Sequence, residues 1–243
     1  MLVDSIFPES IKLNNILFIG FLINNMPKNT KILESFYQKN TLEVGLDEAG
    51  RGPLFGRLYV GAAILPPGDD FNHSLMRDSK KLSERKRLIA FDYIKENAID
   101  YSIHYSTAEE IDLHNILQTT LNGMHKALDN LLVSPEFILV DGDKFNPYSK
   151  NNKLIEHKCF CGGDDKYTPI AAASILAKVA HDNYIREICD KYPELDELYG
   201  LLSNKGYGTK QHIDGIKEHG ISEWHRKSFG ICKTAPRKLV LKK

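Results

Sequence analysis

Two adjacent acidic residues end a strand-like segment of this chain and are followed at once by a glycine-rich turn. Residues 42–48 alternate apolar and polar side chains and finish on Asp47 and Glu48. The turn AGRGPLFGR connects them to a second strand-like segment at 58–65. Adjacent carboxylates repel each other, so the fold must give these charges water, a proton or a cation.

Further strands and helices follow along the chain in a mixed order. Strand-like patterns lie at 99–106, 137–142 and 155–161, and helical patterns lie at 83–97, 111–132 and 169–192. Ser83 opens the first helix, and Thr107 with Glu110 forms a capping box before the second. Beyond Pro193 the pattern changes to short helical pieces. The order predicts an α/β fold, with a mixed β-sheet flanked by helices and a small helical C-terminal region.

The pattern divides the chain into an N-terminal extension of unknown role (1–40), a core (41–192) and a C-terminal helical region with a basic tail (193–243). An apolar run within residues 14–26 is too short to span a bilayer and lacks the flanks of a secretory signal. It fits either a packed strand or a loosely ordered extension, and Met26 is an alternative start. No association with a membrane is expected.

Composition narrows the class of function. The formal net charge is zero, so any binding of a polyanion depends on local clusters rather than on a global basic field. From Lys205 to the C-terminus, ten Lys or Arg residues face three acids, which predicts such a cluster. The four cysteines form no C-x-x-C pair, which favours a reducing, cytoplasmic compartment and argues against a structural zinc site.

Two further acids lie at positions where active-site residues are usually found in such folds. Asp141 closes the buried strand ILVD, and Asp164 comes just before the long helix. Each acid alone fits a turn cap or a solvent-facing side chain. Two carboxylates about 4 Å apart repel by about 4 kcal/mol at an effective dielectric constant of about 20, so a converging set would take up protons or a cation. Oxygen ligands select Mg²⁺ or Mn²⁺. However, neighbours on a regular strand face opposite ways, so convergence of Asp47 and Glu48 requires the strand to end there.

The segment GLDEAGRGPLFG resembles the signature of the ribonuclease HII family, the type 2 ribonucleases H. The resemblance continues in order through DSKKLS, NILQTTLNGM, LVDG, GGDDKYTPIAAASILAKVAHD, NKGYGTKQH and HRKSF, covering about residues 42–230. It implies a ribonuclease H-like fold in which four acids are catalytic and bind two divalent cations, Mg²⁺ or Mn²⁺: Asp47, Glu48, Asp141 and Asp164. The implied activity is cleavage of the RNA strand of RNA–DNA hybrids and incision of duplex DNA at embedded ribonucleotides, leaving a 3′-hydroxyl and a 5′-phosphate.

The resemblance also implies the substrate contacts. Gly50, Arg51 and Gly52 would meet the sugar 2′-hydroxyl and phosphates, since glycine leaves the backbone bare. Tyr207 would stack on the sugar at the RNA–DNA junction. The remaining predicted contacts are phosphate contacts, by Lys80 in DSKKL and Arg226 in HRKSF. No sliding-clamp peptide is found near the C-terminus, and a monomer is expected.

Three positions depart from the common family pattern, and two functional alternatives stay open. Gly162, His181 and Arg57 stand where relatives commonly have Lys, Arg and Pro, which puts substrate affinity in question more than chemistry. His212 and His225 fit general acids or, in preference, hydrogen-bonded structural histidines. The alternative functions are another ribonuclease H-superfamily nuclease of the resolvase or integrase type, and a non-catalytic nucleic-acid-binding module.

Overall fold

The computed structural model describes residues 32–237, and a six-stranded mixed sheet lies at its centre. The strands are β1 (Glu43–Ala49), β2 (Leu58–Ile64), β3 (Asp100–Ser106), β4 (Phe137–Asp141), β5 (Tyr148–Lys150) and β6 (Lys153–Phe160). Their order across the sheet is β3-β2-β1-β4-β6-β5. Neighbours β1, β4 and β6 run parallel, whereas β2, β3 and β5 are antiparallel to their partners. The five predicted strands and the mixed sheet are confirmed, and β5 was not predicted.

Seven α-helices occur within the described residues. They are α1 (Glu84–Asn97), α2 (Ala108–His114), α3 (Ile116–Asp129), α4 (Thr168–Lys191), α5 (Glu194–Tyr199), α6 (Leu201–Asn204) and α7 (Lys210–His219). The Ser83 hydroxyl accepts from the backbone N–H of Lys86 and caps α1, as predicted. The predicted capping box of Thr107 and Glu110 is also confirmed. The three short helices after residue 193 match the predicted helical C-terminal region.

The predicted single helix over 111–132 is wrong, because Asn115 divides it. Asn115 adopts a positive φ of 63°, a conformation that asparagine tolerates better than most residues. Its side chain then accepts the backbone N–H of Gln118 at 3.1 Å and caps α3. The apolar periodicity continues across the break, so the pattern alone gave no sign of it.

Helix α4 lies unusually close to β1 and β2. A methyl group at Gly45 would lie 2.1 Å from the carbonyl carbon of Pro169, and one at Gly61 would lie 2.3 Å from the carbonyl oxygen of Ala173. Gly61 pairs directly with Asp47 across the sheet, and Gly45 is two residues before it. Because residues two apart on a strand share a face, Asp47 lies on the face that α4 covers.

The opposite face of the sheet packs against α3. The hydrophobic cluster there includes Val44, Leu46, Val60, Ala62, Ile64, Met124, Leu128, Ile138 and Val140. A second cluster joins the C-terminal half of α4 to the short helices around Phe55 and Tyr199. The Asp112 carboxylate on α2 accepts the backbone N–H groups of Lys227 and Ser228, each at 2.8 Å, and ties this region to the core.

Residues just before β1 also pack on this unit. Leu33 is buried, and the backbone of Glu34 pairs with the segment that opens α4, through its N–H to Lys166 and its carbonyl to Thr168. The interpretations of residues 14–26 and of the tail after Arg237 lie outside the described residues. Among the helices from residue 32 to 237, none has the length and apolarity that crossing a membrane requires.

Replacing Gly45 with Ala is expected to destabilise the protein by at least about 3 kcal/mol. Overpacking usually costs about 1–3 kcal/mol, and here the added methyl meets backbone atoms of Pro169 that cannot move aside. Urea denaturation of the purified variant measures this loss. The control is Gly208→Ala, whose methyl would meet only side-chain atoms, those of Leu54 from 3.1 Å and Ile213 Cδ1 at 4.0 Å. Similar losses in both variants would contradict a helix packed this tightly on the sheet.

Candidate active site

The parallel strands bring three acids to one edge of the sheet. Leu46 on β1 lies opposite Val140 on β4, so Asp47 and Asp141 are the next residues on neighbouring parallel strands. Asp164 follows β6, the next parallel strand, within the 3₁₀ turn that precedes α4. The backbone N–H of Gly163 donates to Asp141 Oδ1 at 2.6 Å, which joins this turn to β4.

Asp47 is the most enclosed of the acids, with 5% of its surface exposed. Its carboxylate accepts the hydroxyl of Ser174 on α4 and, at 2.7 Å, the backbone N–H of Glu48. Ser174 in turn lies 3.0 Å from the hydroxyl of Ser79. Burial raises the pKa of Asp47 well above its ordinary value, and the charges of Glu48 and Asp141 raise it further. Asp47 is therefore a carboxyl group that its surroundings discourage from ionising.

The condition for convergence of Glu48 with Asp47, a strand that ends at these residues, is not met. Strand β1 continues to Ala49 and stays paired with β2, so alternation directs Glu48 away from the face of Asp47. Its carboxylate pairs with Arg51 at 3.3 Å. Burial raises the pKa of Glu48, Arg51 opposes this shift, and the charge of Asp141 adds to it. The charge of Glu48 thus interacts with the acid cluster, although its side chain points away from the face on which Asp47 lies.

Asp164 and Lys80 complete the charged cluster. Burial, followed by the charges of Asp141 and Asp78, raises the pKa of Asp164 to about 6. Burial alone would lower the pKa of Lys80, but the charges of Asp47, Asp164, Asp78 and Asp141 raise it. Lys80 therefore stays protonated beside the acids, where one cation offsets part of their repulsion.

The donor set fits a hard divalent cation by its chemistry. It consists of four carboxylates, and burial together with neighbouring charges raises the pKa of Asp47, Glu48 and Asp164; a bound cation would relieve both effects. The side chains are not gathered around one point: between residues 32 and 237 no three Asp, Glu, His or Cys side chains form a group that could hold a metal.

Gly50 and Gly52 begin a loop that packs against two aromatic rings. Gly50 has a φ of 89°, and a methyl group there would lie 2.7 Å from His181 Cδ2. A methyl group at Gly52 would lie 3.1 Å from Tyr207 Cε1. The sequence predicted that these glycines expose backbone to a substrate. In the structure, their lack of side chains also leaves room for the rings of His181 and Tyr207. Arg51 between them is exposed.

Arg226 holds this loop from inside the protein. Its side chain is completely buried, and its guanidinium donates to the carbonyls of Gly50 (2.6 Å), Arg51 (3.0 Å), Gly56 (3.0 Å) and Arg57 (3.1 Å). The predicted phosphate contact of Arg226 is therefore corrected, because no part of the side chain reaches the surface. Burial lowers the pKa of Arg226 to about 10, so the group stays charged at neutral pH.

The bonds to Arg226 also set the direction of the loop's amides. A trans peptide unit points its C=O and N–H in opposite directions. The carbonyls of Gly50 and Arg51 face Arg226 in the interior, so the amide N–H groups of Arg51 and Gly52 face outward. Both of these residues are exposed. The loop thus presents two hydrogen-bond donors to whatever lies on its outer side.

Tyr207 lies next to this loop because a second loop docks on it. The backbone N–H of Leu54 donates to the carbonyl of Gly206 at 2.8 Å, and the N–H of Arg226 donates to the carbonyl of Leu54 at 2.8 Å. Tyr207 keeps 45% of its surface exposed. The structure therefore forms two groups from the predicted site residues. One is Asp47, Glu48, Asp141, Asp164 and Lys80, and the other is Gly50, Arg51, Gly52 and Tyr207, with Arg226 beneath.

The three departures from the family pattern lie at the margin of these groups. His181 is buried, with Nδ1 3.2 Å from Asp182 and Nε2 without a partner. Arg57 places its guanidinium over the ring of Tyr105, at 4.0 Å from the centroid, and over Tyr184. Gly162 adopts a left-handed conformation before the turn that carries Asp164.

Sequence reasoning missed Ser174, whose hydroxyl reaches Asp47. It is the only polar residue in the run AAASILA, and that isolation was an available signal. The internal role of Arg226 gave no such signal, because a basic residue among other basic residues predicts a surface position.

A mixed sheet with carboxylates at the ends of its parallel strands is the architecture of the divalent-metal-dependent nucleases with a ribonuclease H-like fold. The model of the family described as Ribonuclease HII matches residues 44–232. The chain belongs to the ribonuclease HII family, whose members are endoribonucleases that act on RNA–DNA hybrids.

Individual relatives agree with this assignment. The chain is 42% identical to the Ribonuclease HII of Parabacteroides distasonis over 210 residues, which are 86% of this chain and 99% of the relative. The crystal structure of the ribonuclease H2 from Pyrococcus horikoshii is similar, with a TM-score of 0.65 and 25% identity over 79% of this chain and 95% of that one. Bst-RNase HIII, solved in complex with Mn²⁺, shares the fold at a TM-score of 0.50 and 20% identity, over 74% and 63% of the two chains.

Asp47→Asn is expected to stabilise the metal-free protein while it removes activity. An aspartate whose pKa is higher in the folded than in the unfolded state lowers stability as the pH rises above its unfolded pKa, so the penalty is larger at pH 8 than at acidic pH. Asn keeps an oxygen for the Glu48 N–H and removes the charge. With EDTA at pH 8, the melting temperature should rise by about 2–4 °C for each kcal/mol gained.

The control for this experiment is Asp143→Asn, which removes an exposed acid near Asp141. It should change the melting temperature by less than about 1 °C, since exposed charges contribute little. A lower melting temperature for Asp47→Asn than for the wild type would contradict the strained state of the acid cluster.

Proposed function

We propose that this member of the ribonuclease HII family hydrolyses the RNA strand of hybrids, and incises duplex DNA at single embedded ribonucleotides, with two divalent cations, Mg²⁺ or Mn²⁺, held by its four acids. The observation that carries the proposal is the set of raised pKa values of Asp47, Glu48 and Asp164 around Asp141. A site that disfavours its own ionised state is suited to a cationic occupant, since the occupant removes the penalty.

The residues of the cluster have distinct parts in the proposed reaction. Asp47, Asp141 and Asp164 would hold the cations from one edge of the sheet, and Glu48 would complete the set by changing its rotamer. The cations, when bound, would activate the attacking water and stabilise the leaving 3′-oxygen. Lys80, protonated beside the acids, would orient the scissile phosphate. The products would be a 3′-hydroxyl and a 5′-phosphate.

Recognition of ribose would use the two outward amides of the loop. The N–H groups of Arg51 and Gly52 can donate to a 2′-hydroxyl, the group that distinguishes RNA from DNA. The Arg51 side chain can meet a phosphate. Tyr207, half exposed and against Gly52, would stack on the following sugar and select a deoxyribose there. Arg226 would act as a positioning residue that fixes the loop before the substrate arrives.

Membership of the family removes the resolvase or integrase alternative, and the occupied acid positions speak against a non-catalytic module. Action as a monomer, the lack of a sliding-clamp peptide and a cytoplasmic location stay predictions.

Replacing Asp141 with Asn is expected to lower the cleavage rate of an RNA–DNA hybrid by about 100-fold or more at saturating Mg²⁺, which corresponds to about 2.7 kcal/mol. The change keeps size and removes a charged ligand, so binding of the hybrid should change by less than about threefold. Cleavage assays and binding titrations measure the two effects, with EDTA as the metal-free reference. Turnover near the wild-type level would contradict the proposed role, whereas the control Asp143→Asn should retain it.

Tyr207→Ala is expected to reduce cleavage at a single ribonucleotide in duplex DNA about fivefold more than cleavage of a long hybrid. Aromatic stacking on nucleotides contributes about 1–3 kcal/mol, and its low end corresponds to this factor. Only the junction substrate has a deoxyribose after the ribose for the ring to read. Both substrates are compared at one salt concentration, because phosphate contacts affect them together. Tyr207→Phe keeps the ring and should preserve the ratio, and equal losses for Tyr207→Ala would exclude junction reading.

A further inference from the structure

Two histidines form a fully buried pair beneath Tyr207. His212 on α7 and His225 after Trp224 have no exposed surface. Their Nε2 atoms lie 3.0 Å apart. The remaining ring nitrogens also have partners: His212 Nδ1 lies 3.0 Å from the carbonyl oxygen of Tyr207, and His225 Nδ1 lies 3.1 Å from the backbone nitrogen of Ser222. Burial excludes the alternative that either ring acts as a general acid on a substrate.

The partners at the two ends fix the proton on every nitrogen of the pair. The Tyr207 carbonyl can only accept, so His212 Nδ1 carries a proton and donates it. The Ser222 backbone N–H can only donate to His225 Nδ1, so this nitrogen is unprotonated, and it then also accepts from the Ser222 hydroxyl at 2.8 Å. A neutral imidazole has one N–H, which leaves His225 Nε2–H as the donor to His212 Nε2. The result is one directed chain of hydrogen bonds from Ser222 to Tyr207.

The surroundings keep both rings neutral. Tyr199 and Phe55 pack edge-on against His225, with centroids at 4.8 Å and 5.1 Å. Burial, and then the neighbouring His212, lowers the pKa of His225 to about 3, and burial also lowers the pKa of His212. A second proton would set two N–H groups against each other at 3.0 Å. The chain of hydrogen bonds is therefore a fixed structural feature at neutral pH.

We propose that the histidine pair is a positioning device for Tyr207, and that through Tyr207 it determines selectivity for the RNA–DNA junction. The inference rests on the proposed reading of the junction by this ring. The Tyr207 carbonyl accepts from His212 Nδ1 and, at 2.8 Å, from the N–H of Thr209. These bonds fix the backbone from which the exposed ring projects against Gly52. His212 touches no substrate and is a positioning residue.

Two substitutions of His212 separate its two hydrogen bonds. The amide nitrogen of Asn takes the place of Nδ1, so His212→Asn keeps the donor to Tyr207 and loses the acceptor for His225. The longer Gln places its amide near Nε2, so His212→Gln keeps the acceptor for His225 and loses the donor to Tyr207. Each variant removes one of the two side-chain hydrogen bonds of His212, so their losses of melting temperature should be similar.

The readout is the ratio of the cleavage rate at a single embedded ribonucleotide to the cleavage rate of a long hybrid. His212→Gln should lower this ratio about fivefold, approaching Tyr207→Ala in the same assay, whereas His212→Asn should stay within twofold of the wild type. An unchanged ratio in His212→Gln, or equal losses in both variants, would overturn the inference. If Tyr207→Ala itself leaves the ratio unchanged, the proposed junction reading fails, and the inference fails with it.

Nitrogen NMR of the wild-type imidazoles tests the pair without any substitution. At pH 7 the expected state is neutral, with the proton on Nδ1 of His212 and on Nε2 of His225. The opposite tautomer of His212 would remove the histidine donor to the Tyr207 carbonyl, and this result would overturn the proposal even if both variants fail to fold.

Discussion

The close contact between helix α4 and strands β1 and β2 is the constraint on which the site depends. It requires bare backbone at Gly45 and Gly61, because either position would otherwise place a methyl group inside the helix backbone. At this distance the Ser174 hydroxyl reaches Asp47, and the edge of His181 reaches the turn at Gly50. One helix therefore sets both the acid cluster and the loop beside it.

The acid cluster lowers the stability of the folded protein, because its carboxylates are buried close to one another. Parallel strands place Asp47 and Asp141 side by side, and the turn after β6 adds Asp164, although the charge of Asp141 raises the pKa of both Asp47 and Asp164. The energy for this comes from the packed sheet and helices around the cluster. Local destabilisation at a functional site, offset by the surrounding fold, is a common trade-off.

The sequence predicted those features that local patterns determine. Alternation, helical periodicity and capping residues gave the five main strands and the long helix α4, and the acids at strand ends marked the site. The break at Asn115 was hidden because an asparagine can cap a helix or sit within one. The internal position of Arg226 depends on contacts with a distant segment, such as Gly56, 170 residues away, and the pairing of His212 with His225 depends on how α7 packs on the loop that follows it. No local pattern encodes such contacts.

The clasp of Arg226 on four carbonyls has an evolutionary consequence. Surface residues of the loop at 50–57 and of the C-terminal segment around Arg226 can be substituted independently of one another. The four hydrogen bonds of the Arg226 guanidinium nevertheless fix the distance between the two segments. An insertion or deletion within either segment would break several bonds at once unless the other segment changed in the same lineage. The two segments should therefore change together among relatives. Chimaeric proteins that take only one of the two segments from a relative should be less stable than chimaeras that take both.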